Sequence, residues 1–421
     1  LVLFINFSLT AQQSIDSKVA DLLSKMTLEE KIGQMNQYNG FWNFTGPSPE
    51  GGDAKVKYEH LRKGLVGSML NVRGVKDVRS VQKIAVEESR LGIPLLFGFD
   101  LIHGYKTVFP IPLAEAASWD LDAIQLSAQL AAKEAAAAGI NWTFAPMVDI
   151  TRDARWGRVM EGAGEDPYLG SLVAAARVRG FQGEDLSAPS TIAATAKHFA
   201  AYGFAEAGRD YNTVDIGLNT LHNVVLPPFK ATVDAGIKTF MNSFNDLNGI
   251  PATADAYLQR DILKGAWGFD GFVVSDWGSI REMIDHGYAK DRKHAGELAV
   301  LGGSDMDMES SIYINELKTL LKEKKISIEQ IDDAVSRILK VKFELGLFDD
   351  PYLYCNEDLE KQITGAEEIV AATLEVAKKS IVLLKNENNT LPLKKNGQKI
   401  GFIGPLAADK TSPLGNWRIA A

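Results

Sequence analysis

The chain has 421 residues, of which 46% are hydrophobic and 24% charged, and its 45 basic and 54 acidic residues leave a formal net charge of −9. This length predicts roughly two or three domains, or one large barrel followed by a further unit. The charges are mixed along the chain, which argues against nucleic acid as the main partner. The single cysteine, Cys355, excludes an internal disulfide and a cysteine-based metal site, and we interpret it as a free structural thiol.

Residues 1–13, LVLFINFSLTAQQ, form an apolar run that ends in small and polar residues. The pattern is typical of the remnant of a secretory signal peptide with cleavage near Ala11, and a short buried strand is the alternative. No later apolar run reaches the ~18 residues that a membrane span needs. The sequence therefore predicts an exported protein without a membrane span.

Residues 14–350 alternate between helical and strand-like patterns. The segment DSKVADLLSKMTLEEKIGQM has helical periodicity, and Thr27 followed by Glu30 is a capping-box signature for its second helix. Ala-rich amphipathic stretches at 123–139 and 172–183 predict further helices. Between the helices lie seven short apolar runs that predict strands: 66–72, 93–100, 141–149, 192–199, 237–244, 271–277 and 300–308.

Such alternation is typical of a parallel sheet covered by helices. Seven units within residues 14–350 favour an eight-stranded (β/α) barrel over an open doubly wound sheet. The open sheet would carry a Gly-rich phosphate turn after its first strand. The stretch EGAG at 161–164 is not one, because it follows a loop and precedes EDPYLG rather than a helix.

The barrel pattern fades near residues 337–350. Residues 351–395 are predicted to form a linker that contains a helix at 366–386. The apolar KIGFIGPLA at 399–407 resembles the first strand and turn of a new α/β unit. We therefore expect residues 396–421 to be the incomplete start of a second domain.

Polar residues stand at the ends of the predicted strands, and the carboxyl ends of barrel strands share one rim where active sites are built. One such Asp is more often a helix cap or turn residue, but convergence of seven strand ends predicts a site. The residues are Asn71, Asp100, Asp149, Lys197 with His198, Asn242, Asp276, and Asp305 with Asp307.

Several chemistries fit parts of this rim. A metal site is disfavoured because the chain has six His and no His pair at ligand spacing. A Ser-His-Asp triad lacks its Gly-x-Ser-x-Gly turn. Lys197 could form a Schiff base in a lyase or aldolase, although nearby carboxylates would favour its charged form.

The remaining residues suit a polyhydroxylated ligand. Carboxylates and cations share sugar hydroxyls, and indole faces stack on the apolar side of a sugar ring. An Asp aimed at an anomeric carbon would then be the nucleophile of a glycosidase. The predicted pocket combines Asp100, Trp156, Arg158, Lys197, His198, Asp276 and Trp277.

Six motifs in order resemble glycoside hydrolase family 3, in particular its periplasmic β-glucosidase branch, from about Asp16 to the end of the chain. They are FGFDLIHGY (97–105), RDARWGRVMEGAGEDP (152–167), AKHFAAYGFAEAGRDYN (196–212), NSFNDLNGIPATAD (242–255), GFVVSDWGS (271–279) and GGSDMDM (302–308). The resemblance implies a (β/α)8 barrel followed by an α/β sandwich domain, no cofactor, and a periplasmic or secreted bacterial enzyme.

The resemblance also implies roles for single residues. Asp276 matches the nucleophile that forms the covalent glycosyl-enzyme, and Trp277 matches a wall position toward the leaving group. Phe244 stands where some relatives carry Tyr. The sugar-binding positions implied are Asp100, Arg158, Lys197, His198 and Met241, with Trp277 beside them.

We therefore expect a retaining exo-acting β-glucosidase that acts on small β-linked oligosaccharides or glucosides. A β-xylosidase or mixed exo-glycosidase, the Lys197 lyase or aldolase, and a non-catalytic sugar-binding fragment remain alternatives. An N-acetylglucosaminidase is disfavoured, because KHFAAYG has Ala200 and Tyr202 where that subgroup has a KHFPGHG-like motif. The family's acid/base is a Glu on the second domain, expected beyond Ala421; Glu161 and Glu165 equally fit salt-bridge and turn-capping roles.

Overall fold

Eight short parallel strands lie at the centre of the computed structural model, which describes residues 14–40 and 54–418. Each strand is buried, which agrees with the apolar runs predicted for most of them. In chain order we call the strands β1 (Asn36–Asn39), β2 (Ser68–Leu70), β3 (Leu96–Phe99), β4 (Trp142–Thr143), β5 (Thr195–Phe199), β6 (Thr239–Asn242), β7 (Phe272–Val274) and β8 (Asp307–Met308).

The strands pair in chain order and the sheet closes on itself. Parallel ladders join β1 to β2, β2 to β3, β3 to β4, β5 to β6 and β6 to β7, and the β5–β6 register shifts between Ala196 and Phe199. Isolated parallel bridges close the two remaining gaps: Trp142 to Ala193 and Met147 to Lys197 between β4 and β5, and Val274 to Met306 between β7 and β8. Asn36 of β1 pairs with Asp307 of β8 and completes the ring. The predicted (β/α)8 barrel is confirmed.

Two strand assignments differ from the sequence-based expectation. Strand β1 was missed, because its residues Asn-Gln-Tyr-Asn are polar although all four are buried. The predicted strand 300–308 was too long, because a helix runs to Gly302 and β8 begins at Asp307. Gly303 ends that helix at φ +110°, a backbone angle that favours glycine and turns the chain toward β8.

Helices cover the outside of the barrel, and their starts follow ordinary capping chemistry. The Thr27 hydroxyl accepts from the Glu30 amide and the Glu30 carboxylate accepts from the Thr27 amide, which confirms the capping box. The longer helices are Ile15–Lys25, Ala54–Arg62, Val75–Lys83, Leu121–Ala137, Pro167–Gln182, Leu226–Asp234, Tyr257–Ala266, Arg292–Gly302, Ile312–Lys322 and Ile328–Glu344, with Leu28–Gln34 and Ser279–Asp285 shorter.

The Ala-rich helix Leu121–Ala137 packs closely on Pro167–Gln182. At Gly180 the approach is so close that an added Cβ would lie 2.4 Å from the carbonyl oxygen of Gln125. Small side chains at this contact let the two helices lie against each other and bring β4 and β5 side by side. The pairing of β4 with β5 matters for the site, because both strands end at the site described below.

The segment after the barrel contains two helices, Glu357–Ile363 and Glu367–Lys379. The expected strand at 399–407 is absent: these residues have no strand assignment, and Phe402 and Ile403 are exposed. A strand of that kind is stable when neighbours pair its edges, and no neighbour among residues 14–40 and 54–418 does so. That residues 396–421 begin an α/β sandwich domain stays a prediction.

The signal-peptide prediction for residues 1–13 lies outside the described residues. Within the described part of the chain, every helix is too short or too polar to cross a membrane. Cys355 is a free, partly buried cysteine, as expected.

Candidate active site

A cavity of about 530 Å³ opens at the carboxyl ends of the barrel strands. Its lining combines charged side chains with an apolar wall, which is the composition expected for a site that binds a polar ligand by a few placed groups. The lining residues are Leu70, Asp100, Phe144, Arg158, Glu161, Lys197, Asp210, Tyr211, Met241, Phe244, Asp276, Trp277, Met308, Asn416 and Trp417.

Asp100 and Lys197 form an ion pair in this lining. Asp100 directly follows β3 and Lys197 lies within β5, and Lys197 Nζ donates to Asp100 Oδ1 over 2.9 Å. Both side chains are almost fully buried. Lys197 is therefore the hydrogen-bond donor of a buried ion pair, whereas a Schiff base would require a neutral amine at this position.

Arg158 and Glu161 form a second ion pair on the short 3₁₀ turn Gly157–Glu161. Arg158 Nε donates to Glu161 Oε1 over 2.7 Å and Nη2 donates to Oε2 over 3.1 Å. Burial raises the pKa of Glu161, but the charges of Arg158 and Lys197 outweigh it and hold the pKa below its usual value. The salt-bridge expectation for Glu161 is thereby confirmed.

His198 lies behind Arg158 and is fully buried. Its Nε2 is 2.8 Å from Arg158 Nη2, and its Nδ1 and backbone N each lie 2.9 Å from Asp149 Oδ2. His198 is outside the cavity lining. The sugar-binding role predicted for it stays a prediction, and the contact seen here is with Arg158.

Asp276 lies in the cavity lining, two residues after the end of β7. Its Oδ1 accepts from the Trp277 backbone N–H over 2.6 Å, and its Oδ2 lies 3.6 Å from His198 Nε2. Burial raises the pKa of Asp276 to about 6, while the charges of Arg158 and Lys197 oppose that rise. A carboxylate in this setting is poorly solvated and flanked by cations, which suits a nucleophile.

The apolar part of the lining surrounds Asp276. Met241 and Trp277 lie in it, as predicted, and Tyr211 and Phe244 add a tilted aromatic pair with ring centres 4.5 Å apart and 41° between the ring planes. Trp156 was expected in the pocket, but its ring packs on Tyr202 behind the wall. Its Nε1 donates to Asp210 over 2.8 Å, which holds the Asp210–Tyr211 loop at the mouth.

Residues 412–418 return to the barrel mouth from the exposed segment. The Trp417 ring lies 4.9 Å from Lys197 Nζ and 5.9 Å from the Arg158 guanidinium carbon, which are cation–π distances. The Asn416 carbonyl accepts a hydrogen bond from the His103 ring. Trp417 therefore covers both ion pairs from outside.

Four of the predicted strand-end residues serve the barrel instead of the cavity. Asn71 donates to Asn39, and Asn242 accepts from Ser304. Asp305 precedes β8 and pairs with Lys264 over 2.6 Å. Asp307 accepts from backbone N–H groups of residues 310, 312 and 313, which caps the next helix.

Sequence reasoning also missed several lining residues. Trp417 is far along the chain from the barrel motifs, and Glu161 was recognised as an ion-pair candidate without a place in the pocket. The DYN stretch that carries Asp210 and Tyr211 was the available signal for the mouth loop, since it lies within a matched motif. Within the described residues no group of three or more His, Cys, Asp or Glu side chains is arranged to hold a metal ion.

Comparison with known proteins identifies the barrel. The sequence model of the family described as glycosyl hydrolase family 3 N terminal domain matches residues 27–341 of this chain. A periplasmic beta-glucosidase of Salmonella typhimurium is 42% identical over 421 residues, covering 99% of this chain and 54% of its own. A putative beta-xylosidase of Formosa agariphila is 34% identical, covering 97% of this chain and 55% of its own. The chain thus spans about half the length of the curated relatives it matches.

Solved structures give the same match. The beta-glucosidase of Listeria innocua in complex with isofagomine has a TM-score of 0.84 and 43% identity, covering 89% of this chain and 52% of its own. The Listeria enzyme in complex with glucose has a TM-score of 0.87 and 41% identity, covering 97% of this chain and 57% of its own. A beta-glucosidase involved in saponin metabolism from intestinal bacteria has a TM-score of 0.86 and 37% identity, covering 97% and 52%.

Proposed function

Because the chain belongs to glycoside hydrolase family 3, we propose that its barrel carries the nucleophile and sugar subsite of a retaining, exo-acting β-glucosidase. The observation that carries this proposal is the position of Asp276. It lies in the cavity lining together with both ion pairs, Asp100 with Lys197 and Arg158 with Glu161. The substrates would be small β-linked oligosaccharides or glucosides with a terminal nonreducing glucosyl unit.

Asp276 would attack the anomeric carbon. One carboxylate oxygen forms the bond to that carbon while the bond to the leaving oxygen breaks, and the leaving oxygen takes a proton as it departs. Water then releases the sugar from Asp276 with the original configuration. The Trp277 backbone N–H bound to Asp276 Oδ1 orients the carboxylate and leaves Oδ2 for attack.

The two ion pairs would bind the sugar hydroxyls. Asp100 and Glu161 accept hydrogen bonds, while Lys197 and Arg158 donate them, so each pair offers both functions to a hydroxyl. Because each charge already has a partner, none of the four is left as an isolated buried ion before the sugar arrives. Met241, Trp277 and Trp417 would cover the apolar faces of the ring.

Among the residues that the structure describes, each lining carboxylate other than Asp276 already has a hydrogen-bonded partner, so none of them is assigned as the proton donor. Asp100 is paired with Lys197, Glu161 with Arg158, and Asp210 accepts from Trp156. We therefore expect this protein to cleave an aryl glucoside, whose leaving group needs no proton, far better than an alkyl glucoside. General acid help is worth about 10²–10⁴-fold, and equal rates on both substrates would place a proton donor among the described residues.

A β-xylosidase is the second candidate, since several similar proteins carry that name. The same Asp276 chemistry would apply, and the sugar would lack the hydroxymethyl group of glucose. The ratio of rates on nitrophenyl glucoside and nitrophenyl xyloside decides between the two. Export to the periplasm or outside the cell is the proposed location, supported by the apolar pattern at residues 1–13 and the periplasmic relative.

Trapping of the covalent intermediate tests the proposal. A 2-deoxy-2-fluoro glucoside with a good leaving group should label Asp276, as peptide mass mapping would show, and Asp276→Asn should take up no label. Asp255→Asn is the matched control, because Asp255 is a buried carboxylate outside the cavity lining. A label on another residue would overturn the assignment of Asp276.

A further inference from the structure

We propose that Asp149 is a positioning residue that sets the tautomer of His198 and thereby fixes the guanidinium of Arg158 in the cavity. The inference rests on the proposed function in one respect, because Arg158 is a sugar ligand there. Asp149 itself is outside the cavity lining and 2% exposed.

The barrel topology brings Asp149 to His198. Residues 146–149 continue beyond β4 and run beside β5: the Lys197 N–H donates to the Pro146 carbonyl over 3.1 Å, and the Val148 N–H donates to the Lys197 carbonyl over 2.8 Å. These backbone bonds fix the register of the two segments. Asp149 then follows Val148 directly and lies next to His198.

The contacts of His198 define which ring nitrogen carries hydrogen. Asp149 Oδ2, which lies 2.9 Å from both the backbone N and Nδ1 of His198, accepts from both. On the other side Nε2 is 2.8 Å from Arg158 Nη2, and a guanidinium nitrogen donates and cannot accept. The neutral ring with hydrogen on Nδ1 satisfies both contacts.

Charge and burial favour the same neutral form. Burial, together with the positive charges of Arg158 and Lys197, lowers the pKa of His198 well below its usual value. Asp276 lies 3.6 Å from Nε2, which is beyond a hydrogen bond. The geometry therefore leaves Nε2 as an acceptor for Arg158 alone.

The tautomer has a direct consequence for Arg158. Its Nε and Nη2 donate to Glu161, and Nη2 also donates to His198 Nε2. Glu161 and His198 thus hold the guanidinium from two directions, while Nη1 has no hydrogen bond to the described residues. In the other tautomer, two donors would meet at Nε2 and Nη2, and the guanidinium would have to move. A displacement near 1 Å can cost about 10²-fold in rate.

The first measurement is the ¹⁵N spectrum of the imidazole in the unsubstituted chain, with His198 assigned by His198→Gln. We expect a pyrrole-type Nδ1 and a pyridine-type Nε2 at neutral pH, because burial and the charges of Arg158 and Lys197 lower the pKa of the ring. A hydrogen on Nε2, or a doubly protonated ring at neutral pH, would overturn the proposal without any variant of Asp149.

The second measurement compares three variants. Asp149→Leu removes the acceptor, so His198 should lose its single tautomer and the dissociation constant for glucose should rise about 10–100-fold, the usual cost of losing an orienting partner. Asp149→Asn keeps an acceptor oxygen for both N–H groups, so it should restore the tautomer and most of the affinity. Asp255→Leu, which removes a buried carboxylate outside the cavity, should change neither property.

A folded Asp149→Leu variant with an unchanged tautomer and unchanged glucose binding would overturn the positioning role. If the unsubstituted chain binds no glucose, the proposed function falls instead. The role of Asp149 is then decided by the tautomer together with hydrogen exchange at the Arg158 guanidinium, which Asp149→Leu should accelerate and Asp149→Asn should not.

Discussion

Lys197 Nζ donates to Asp100 Oδ1 over 2.9 Å, and this ion pair joins the ends of β3 and β5 across the cavity. Neither side chain has appreciable contact with solvent. A buried charge without its partner is strongly destabilising, although the intact pair contributes little net stability. The pair therefore serves the site by holding a donor and an acceptor in fixed positions.

The ion pair should show strong energetic coupling. Asp100→Asn and Lys197→Met should each lower the free energy of unfolding by about 3 kcal/mol, because each leaves one buried charge alone. The double variant should lose less than the sum of the two, with a coupling above about 1 kcal/mol in urea denaturation. Lys293→Met removes the exposed pair with Glu323 and should have no measurable effect. Additive losses at Asp100 and Lys197 would contradict the pairing.

The reaction with a fluoro glucoside should depend on the ionisation of Asp276. Burial raises the pKa of Asp276 to about 6, and the protonated acid is not a nucleophile. The labelling rate should therefore fall as the pH falls through about 6 and level off above it.

Two neighbours should move this midpoint in opposite directions. The Lys197 charge lowers the pKa of Asp276 and the Asp100 charge raises it. Lys197→Met should shift the midpoint upward and Asp100→Asn should shift it downward, as labelling rates across the pH range would show. A shift of the midpoint in the same direction for both variants would mean that a group other than Asp276 controls the pH dependence of labelling.

Trp417→Ala should weaken ligand binding and leave stability nearly unchanged. The ring covers Lys197 and Arg158 from outside, and an aromatic contact with a sugar or cation is worth about 0.5–2 kcal/mol. We expect the dissociation constant for glucose to rise about 3–30-fold in titration calorimetry. Trp119→Ala is the control, because Trp119 is an exposed tryptophan outside the cavity. An equal effect of both substitutions would remove Trp417 from the binding site.

Lys342→Met should stabilise the protein at neutral pH. Lys342 is fully buried on the helix Ile328–Glu344, where Nζ donates to Gln34 Oε1 over 2.6 Å, and burial lowers its pKa to about 7. Between about pH 7 and 10.5 the unfolded chain binds this proton more tightly, so stability rises with pH across that window. Replacing the lysine should add about 1–3 kcal/mol at pH 7 and less near pH 10.

Urea unfolding at the two pH values measures this difference. Lys340→Met is the matched control on the same helix, because Lys340 is partly exposed and pairs with Asp270 over 2.6 Å. It should not stabilise the protein at either pH. A loss of stability in Lys342→Met at pH 7 would show that the buried ammonium is better compensated than its contacts indicate.

Local patterns were sufficient where the chemistry is local. The capping box of Thr27 and Glu30 needs residues three apart, and the structure contains it. The apolar runs that form β2 to β7 predicted buried strands, and the polar residues at the ends of these runs predicted the rim of the barrel. Asp276 and Asp100 could be assigned to the cavity for that reason.

Patterns failed where the surroundings decide burial. The polar strand Asn36–Asn39 lies buried between two parallel strands that pair with its backbone, and Glu309 accepts from the Asn39 backbone N–H. These partners are distant in sequence, so the four residues alone do not reveal them. Asp305 and Asp307 looked like rim residues, but the end of the preceding helix at Gly302 places Asp305 before β8, where it pairs with Lys264.

Hydrophobic periodicity and the order of the motifs are properties of the chain itself, so they were sufficient to predict the barrel, its family and the candidate nucleophile. The tertiary structure alone decided which charges meet. Asp149 reaches His198, and Trp417 reaches Lys197, through strand register and a returning segment rather than through proximity in sequence. Since a pKa or a tautomer depends on burial and on the nearest charges in space, these properties of the site could be read only after the strands were paired.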